Sequence, residues 1–312
     1  MTDFNEPLDI PYAVAALPSG PERPAFCARS SGLYRSVDGG RSWENVYLAS
    51  TLGESPATLA IALSPDFLED NTLFAGVPGA VLRSTDGGAG WKALPLPAPP
   101  PLVSSLVISP GFTADGVILA GTVEDGVFRS ANRGEHWTAW NFGLLDLNIL
   151  CLVISPGFSD DETLYVGAES GIFRSTNGGR AWREVNFPPE LAPVISLALS
   201  SGYPEDKTLL AGTEENGLFL SQDDGETWAR LDGEGEAAPV NALFLSPRYP
   251  EKPDILALMG ASVVVSRDGG ITWQAWKFKE PLKGEILCLA APRGIQPGAP
   301  LLAGLEDGAG WF

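Results

Sequence analysis

The chain of 312 residues carries 39 acidic and 20 basic side chains, a net charge of −19. So negative a surface repels phosphate backbones and anionic membranes, which argues against nucleic acid as a partner and leaves plain solubility or a basic partner as readings of the charge. No apolar run nears the roughly 18 residues of a membrane span, and the opening MTDFNEPLDIPY has neither the basic nor the apolar region of a secretory signal. A cytoplasmic protein without membrane insertion is expected, or a secreted one if a leader has been removed.

Hydrophobic residues make up 44% of the chain, enough for a large core, and 36 glycines with 27 prolines suit many short strands joined by tight turns. In chain order, residues 2–8 (TDFNEPL) resemble the later TWARL at 227–231, with Phe4 standing where Trp228 does. Next comes one turn in six copies: SVDGGRSW from Ser36, STDGGAGW from Ser84, SANRGEHW from Ser130, STNGGRAW from Ser175, SQDDGETW from Ser221 and SRDGGITW from Ser266. The serines are spaced by 48, 46, 45, 46 and 45 residues. The chain ends with ILCLAAPRG and PLLAGLEDGAGWF, a further unit that aligns with its predecessors but lacks a last strand.

The fourth unit shows the common pattern. ILCLVI reads as an apolar first strand, TLYVGA as a second after the turn SPGFSDDE, GIFRS as a third and AWREVNF as a fourth. Near-continuous apolar first strands are expected where both faces are covered. In the recurring turn, Asp38, Asp86, Asn132, Asn177, Asp223 and Asp268 are placed to accept backbone N–H bonds. The glycine two positions on tolerates the positive φ of a tight hairpin, and the Trp after it can pack between neighbouring units. Asn serves at two of the six positions, so the carboxylate is structural rather than catalytic.

A period of this length, with four strands to the unit, predicts an all-β ring: a seven-bladed β-propeller of four-stranded antiparallel blades, with six blades as the alternative. The blades fall at about 11–48, 57–97, 102–142, 148–187, 192–231, 239–278 and 285–312, in one domain spanning 1–312. Residues 2–8 are expected to complete the last blade on its outer edge and close the ring. The odd set Cys27, Cys151 and Cys288, each within an apolar run, reads as buried free thiols without metal-site spacing.

The repeated Ser-x-Asp-x-Gly-x-x-Trp resembles the Asp-box, or bacterial neuraminidase, repeat, and the resemblance covers nearly the whole chain. That superfamily includes sialidases, xyloglucan-degrading glycoside hydrolases, sortilin-type sorting receptors and a propeller assembly factor of photosystem II. The short, regular repeats, with the SPxFxxDxTLxxG segments at 64–76 and 155–167, look most like the assembly-factor branch, sortilin-like propellers and bacterial propellers of this kind. Fold does not fix function. No Phe-Arg-Ile-Pro motif occurs, and Arg35, Arg83, Arg129 and Arg174 are placed on third strands beside the turns, as inter-blade partners rather than a sialidase triad. The single His136 varies within its turn, and Gly-x-Ser-x-Gly, Walker and HExxH motifs are missing.

Neither catalytic residues nor a metal or cofactor is therefore expected. The candidate site is the face made by second-to-third and fourth-to-first strand connections. There Glu124, Asp125, Glu169, Glu214, Glu215, Glu306 and Asp307 put carboxylates on four blades, although Glu-x-Gly and Asp-Gly also make ordinary hairpin turns. Such an acidic arc suits a cation or a Lys/Arg-rich partner. Trp140 with Phe142, Phe187, and Trp276 with Phe278 form a candidate aromatic rim, and the proline-rich residues 93–102 a recognition segment or stiff connector. The expected function is a non-enzymatic protein- or peptide-binding scaffold; the alternative is a glycoside hydrolase or carbohydrate-binding propeller, which as a hydrolase needs a paired acid and base.

Overall fold

The computed structural model describes residues 9–18, 24–48, 52, 54–97, 99–231, 238–278, 282, 284–306 and 308–312. They form seven antiparallel sheets, each a meander in which sequential strands are neighbours. The innermost strands are Pro11–Ala16, Ala60–Leu63, Leu102–Ile108, Ile149–Ile154, Val194–Leu199, Val240–Leu245 and Ile286–Ala290. None contains a charged residue. Each blade wedges its apolar face against the next, and the last sheet meets the first where the Trp43 indole N–H donates to the Ala309 carbonyl at 2.8 Å. The molecule is a seven-bladed β-propeller. Three strands of the last blade are described, Ile286–Ala290, Leu302–Leu305 and Gly308–Trp311; the expected closing strand, residues 2–8, lies outside the described residues.

Each recurring turn is built by its serine as much as by its Asp or Asn. The Ser130 hydroxyl donates to Asn132 Oδ1 at 2.9 Å and accepts the Gly134 N–H at 2.8 Å, while Asn132 Oδ1 also takes the His136 N–H at 2.9 Å. The same serine contacts recur at Ser36, Ser84, Ser175, Ser221 and Ser266, all buried. The following glycines take the expected positive φ, from 80° at Gly40 to 96° at Gly270. Some of the tryptophans then bridge blades: Trp182 Nε1 donates to Trp140 O at 2.7 Å and Trp273 Nε1 to Leu231 O at 3.0 Å. The third-strand arginines point the same way, Arg35 donating to Gly87 O and Arg83 to Arg133 O of the next blade's turn, both at 2.8 Å.

The segment expected as a plain turn between first and second strands holds one turn of helix in blades two to four: Phe67–Asp70, Phe112–Asp115 and Phe158–Asp161. A buried Phe anchors each one. The loop's serine donates to the helix's last Asp, Ser64 to Asp70 at 2.7 Å and Ser155 to Asp161 at 2.5 Å. Those aspartates are thus occupied internally. The fourth strands are shorter than expected, only Arg183–Glu184 in blade four, because the box turn absorbs the residues before them.

The glycine ending TLxxG has a reason in the packing between blades. It lies on the second strand, where the inner strand of the next blade passes close by. An added Cβ at Gly76 would stand 2.6 Å from Val103 Cγ1, at Gly121 2.6 Å from Ile149 Cγ2, and at Gly212 2.7 Å from Val240 Cβ. Absence of a side chain lets neighbouring blades approach.

Candidate acidic loop face

In a four-stranded meander the second-to-third and fourth-to-first connections leave the sheet at the same end, so all seven blades present them on one face. Hydrogen bonds between the two kinds of connection hold it together. The Glu124 N–H donates to Asn148 Oδ1 at 3.1 Å and the Gly126 N–H to Leu147 O at 2.9 Å. The Ser170 N–H donates to Asp146 Oδ2 at 2.8 Å, and the Glu214 N–H to Pro193 O at 3.1 Å. Glu124 adopts the left-handed conformation, φ 70°, at its hairpin tip. These bonds pin the hairpin tips to the neighbouring connections through the backbone, not through the glutamate side chains.

Glu124, Glu169, Glu214, Glu215 and Glu306 are exposed, and Asp125 is half-buried with its carbonyl accepting the Asn141 amide at 2.9 Å. Asp307 lies outside the described residues. None of those five glutamates forms an ion pair among the described residues. Exposed Glu54, Glu190 and Glu285 on the fourth-to-first connections add to the charge. Against them, among the described residues, stand Arg29, already 3.1 Å from Asp9, and Lys277. The described part of the face is therefore acidic, whereas the box face interleaves both signs, as in Arg83 with Glu135 at 2.7 Å and Arg180 with Glu162 at 2.9 Å.

The candidate aromatic rim is not continuous. Phe187 is buried, 5.1 Å from Trp228 and 5.7 Å from Phe219, because the next blade covers it. Trp276 is buried as well, and Trp140 lies under the guanidiniums of Arg129 and Arg180, 4.5 and 5.3 Å from its ring. Phe142 is the exception, 79% exposed. Its connection also exposes Leu145 and, less fully, Leu147, at 78% and 38%. Leu145 and Leu147 lie on the stretch that bonds the hairpins of Glu124 and Glu169 through Asn148 and Asp146, whereas Phe142 stands apart, beside the outer strand of blade four, its carbonyl accepting the Trp182 N–H at 2.8 Å. Leu145 and Leu147 carried no motif; their only signal was apolar residues inside a connector. Of the proline-rich residues 93–102, Leu94 and Leu96 are buried and the Gly79 N–H donates to Pro101 O at 2.8 Å, which ties the segment to its blade.

Other chemistry is sparse. His136 is exposed on the third box turn. No cluster of three metal-ligating side chains occurs among the described residues, and no helix there is long and apolar enough to cross a membrane. Cys27, Cys151 and Cys288 are free thiols; burial pushes the Cys27 and Cys151 thiols up to about 12. Cys151 turns its Sγ to Val194 O of the next blade at 3.7 Å.

Residues 264–275, within the sixth blade, match the BNR/Asp-box repeat. The chain is a seven-bladed β-propeller that carries this repeat. Solved structures share the fold throughout. The GH74 xyloglucanase from Xanthomonas campestris superposes with a TM-score of 0.76 at 17% identity over 96% of this chain and 51% of the enzyme. The chain thus spans about half the length of that relative. YCF48 bound to a D1 peptide superposes with a TM-score of 0.70 at 17% identity, covering 97% of this chain and 93% of YCF48. YCF48 from Cyanidioschyzon merolae gives 0.67 at 14% identity, over 97% and 95%. At such identities the likeness is one of fold. No curated protein matches by sequence.

Proposed function

We propose that this Asp-box propeller is a peptide- or protein-binding scaffold whose ligand is a basic, partly apolar segment docked on the acidic loop face. One observation carries the reading: exposed Leu145 and Leu147 sit on a connection hydrogen-bonded to the hairpins of Glu124 and Glu169, whose carboxylates form no ion pair among the described residues. Apolar anchors supply affinity by leaving water, and surrounding charge supplies orientation and association rate. The rigid loops cost little ordering on binding. The structure of YCF48 with a bound peptide, on the same fold and over nearly its full length, supports the reading. The glycoside hydrolase alternative rests on the fold likeness to GH74 enzymes and has no further observation in its favour.

Fluorescence anisotropy with a labelled peptide of alternating Lys and Leu tests the proposal. The wild-type chain should bind it in a salt-sensitive manner. Glu124→Lys with Glu169→Lys should weaken binding by at least about tenfold, and Leu145→Ser should do likewise. Glu69→Lys, on the opposite face, should leave it unchanged. Equal binding by all four proteins would remove the acidic face from the account.

A further inference from the structure

The loop face makes no use of Phe142, the second most exposed large hydrophobic side chain of the described residues at 79%. Its ring lines a groove of about 560 Å³ between the outer strand of blade four, Arg183–Glu184, and the box turn of blade five, which supplies Asp224 and Glu226. That volume falls in the range of about 300–1,000 Å³ typical of small-molecule sites. Part of the wall is already satisfied: Arg174 donates to Tyr203 Oη at 3.1 Å and stands 3.5 Å from Asp224.

Box four differs from its counterparts where it meets this groove. In boxes one, five and six the second carboxylate oxygen accepts the hydroxyl of Ser42, Thr227 or Thr272, each at 2.6 Å. Box four has an amide in place of the carboxylate and Ala181 in place of the hydroxyl. Asn177 Oδ1 accepts the Ser175 hydroxyl and the Ala181 N–H, both at 2.9 Å, and the backbone donor fixes which end of the amide is oxygen. The Nδ2 donor is left without a partner among the described residues, and both Asn177 and Ala181 line the groove. Arg183, Glu184 and Glu226, also in the wall, form no ion pair among the described residues. Asn186 spends its amide N–H on Glu226 O at 2.9 Å and keeps its Oδ1 to accept.

We propose that this groove binds a short neutral oligosaccharide, one sugar ring stacked on Phe142 and its hydroxyls bonded to Asn177, Arg183 and Glu226. Each sugar hydroxyl both donates and accepts, which suits a wall offering free donors and free acceptors side by side. The polarised C–H face of a sugar ring meets the electron-rich face of the phenyl group. Unpaired charges of both signs favour neither a polyanion nor a run of cations. A peptide adding as a strand would find little free edge, since the outer strand has two residues and the neighbouring Trp182 N–H is taken by Phe142 O at 2.8 Å. The groove is separate from the acidic loop face and does not depend on it.

Titration calorimetry of the intact chain with cellotetraose, maltotetraose and mannotetraose, and with the Lys/Leu peptide, tests the proposal. Wild type should bind at least one of the three saccharides saturably. Asn177→Asp keeps the oxygen that closes the turn, as Asp86 does with the Gly90 N–H in box two, and replaces only the free donor. It should lower that affinity at least about tenfold, and Phe142→Ala, which removes a ring in solvent, should do the same. Glu124→Lys with Glu169→Lys should leave saccharide binding unchanged, and Asn177→Asp should leave peptide binding unchanged. Failure of all three saccharides to bind, or an affinity unmoved by either groove substitution, overturns the proposal. Saccharide binding lost with the two glutamates, or peptide binding lost with Asn177→Asp, overturns it equally, by placing both on one site.

Discussion

Substituting Gly212→Ala tests the packing that closes the ring. Gly212 lies on the second strand of blade five, and an added Cβ would stand 2.3 Å from Ser196 Oγ and 2.7 Å from both Cβ and Cγ1 of Val240. Ser196 is itself fixed, its hydroxyl donating to Val240 O at 2.5 Å, and Val240 is fully buried. Neither neighbour can give way without moving the inner strand of blade six. Overpacking of this kind costs about 1–3 kcal/mol; the lower entropy of alanine in the unfolded chain offsets about 0.4–1 kcal/mol of it. At the middle of both ranges a net loss of about 1.3 kcal/mol remains. With an unfolding entropy of about 2.1 cal/mol/K per residue over the whole chain, that corresponds to a Tm lower by about 2 °C in scanning calorimetry. Val240→Ala added to Gly212→Ala should cost less than the two single changes summed, because it removes Val240 Cγ1, one of the three atoms that crowd the new Cβ. A Gly212→Ala protein melting at or above wild type, with additive double-mutant costs, would refute the close-approach argument.

Two further predictions concern ionisation. The Ser42, Thr227 and Thr272 hydroxyls, with backbone N–H groups, hold Asp38, Asp223 and Asp268 down from the usual 3.8 to about 2. A carboxylate with a depressed folded-state pKa stabilises fully above its unfolded value, and the contribution fades as pH falls through the folded one. Melting curves taken from pH 5 to pH 2 should therefore show a loss between about pH 4 and about pH 2 that flattens when all three become Asn; an unaltered slope would contradict the assignment. The three thiols, raised by burial, should resist a disulfide reagent at pH 8 until denaturant is added. Reaction of the native protein at the rate of a free thiol would show that the blades open locally.

What was legible in the sequence follows the range of the interactions involved. The box turn is closed by bonds spanning four residues or fewer, such as Gly134 N–H to Ser130 Oγ, so six copies could be recognised and the blades counted. The serine's double role was missed because its partners are set by the turn's geometry rather than by residue type. The helical turn at Phe158–Asp161 is too short to leave a periodicity. Gly121 needs to be small because of Ile149, on the next blade, a constraint no local pattern records. The common face of Glu124, Glu169, Glu214 and Glu306 follows from strand count alone and was foreseeable. The fate of the aromatics was not: Phe187 and Phe142 both follow a short outer strand, yet the neighbouring blade buries one and leaves the other in solvent.

Hydrogen exchange of the intact chain, with and without the Lys/Leu peptide, probes the docking face most directly. Slower exchange should be confined to the hairpins at 124–126 and 169–171 and the connection at 141–148, with the box turns unaffected. Protection centred on the box turns, or spread evenly around the ring, would contradict the assignment of the acidic face as the place where the partner sits.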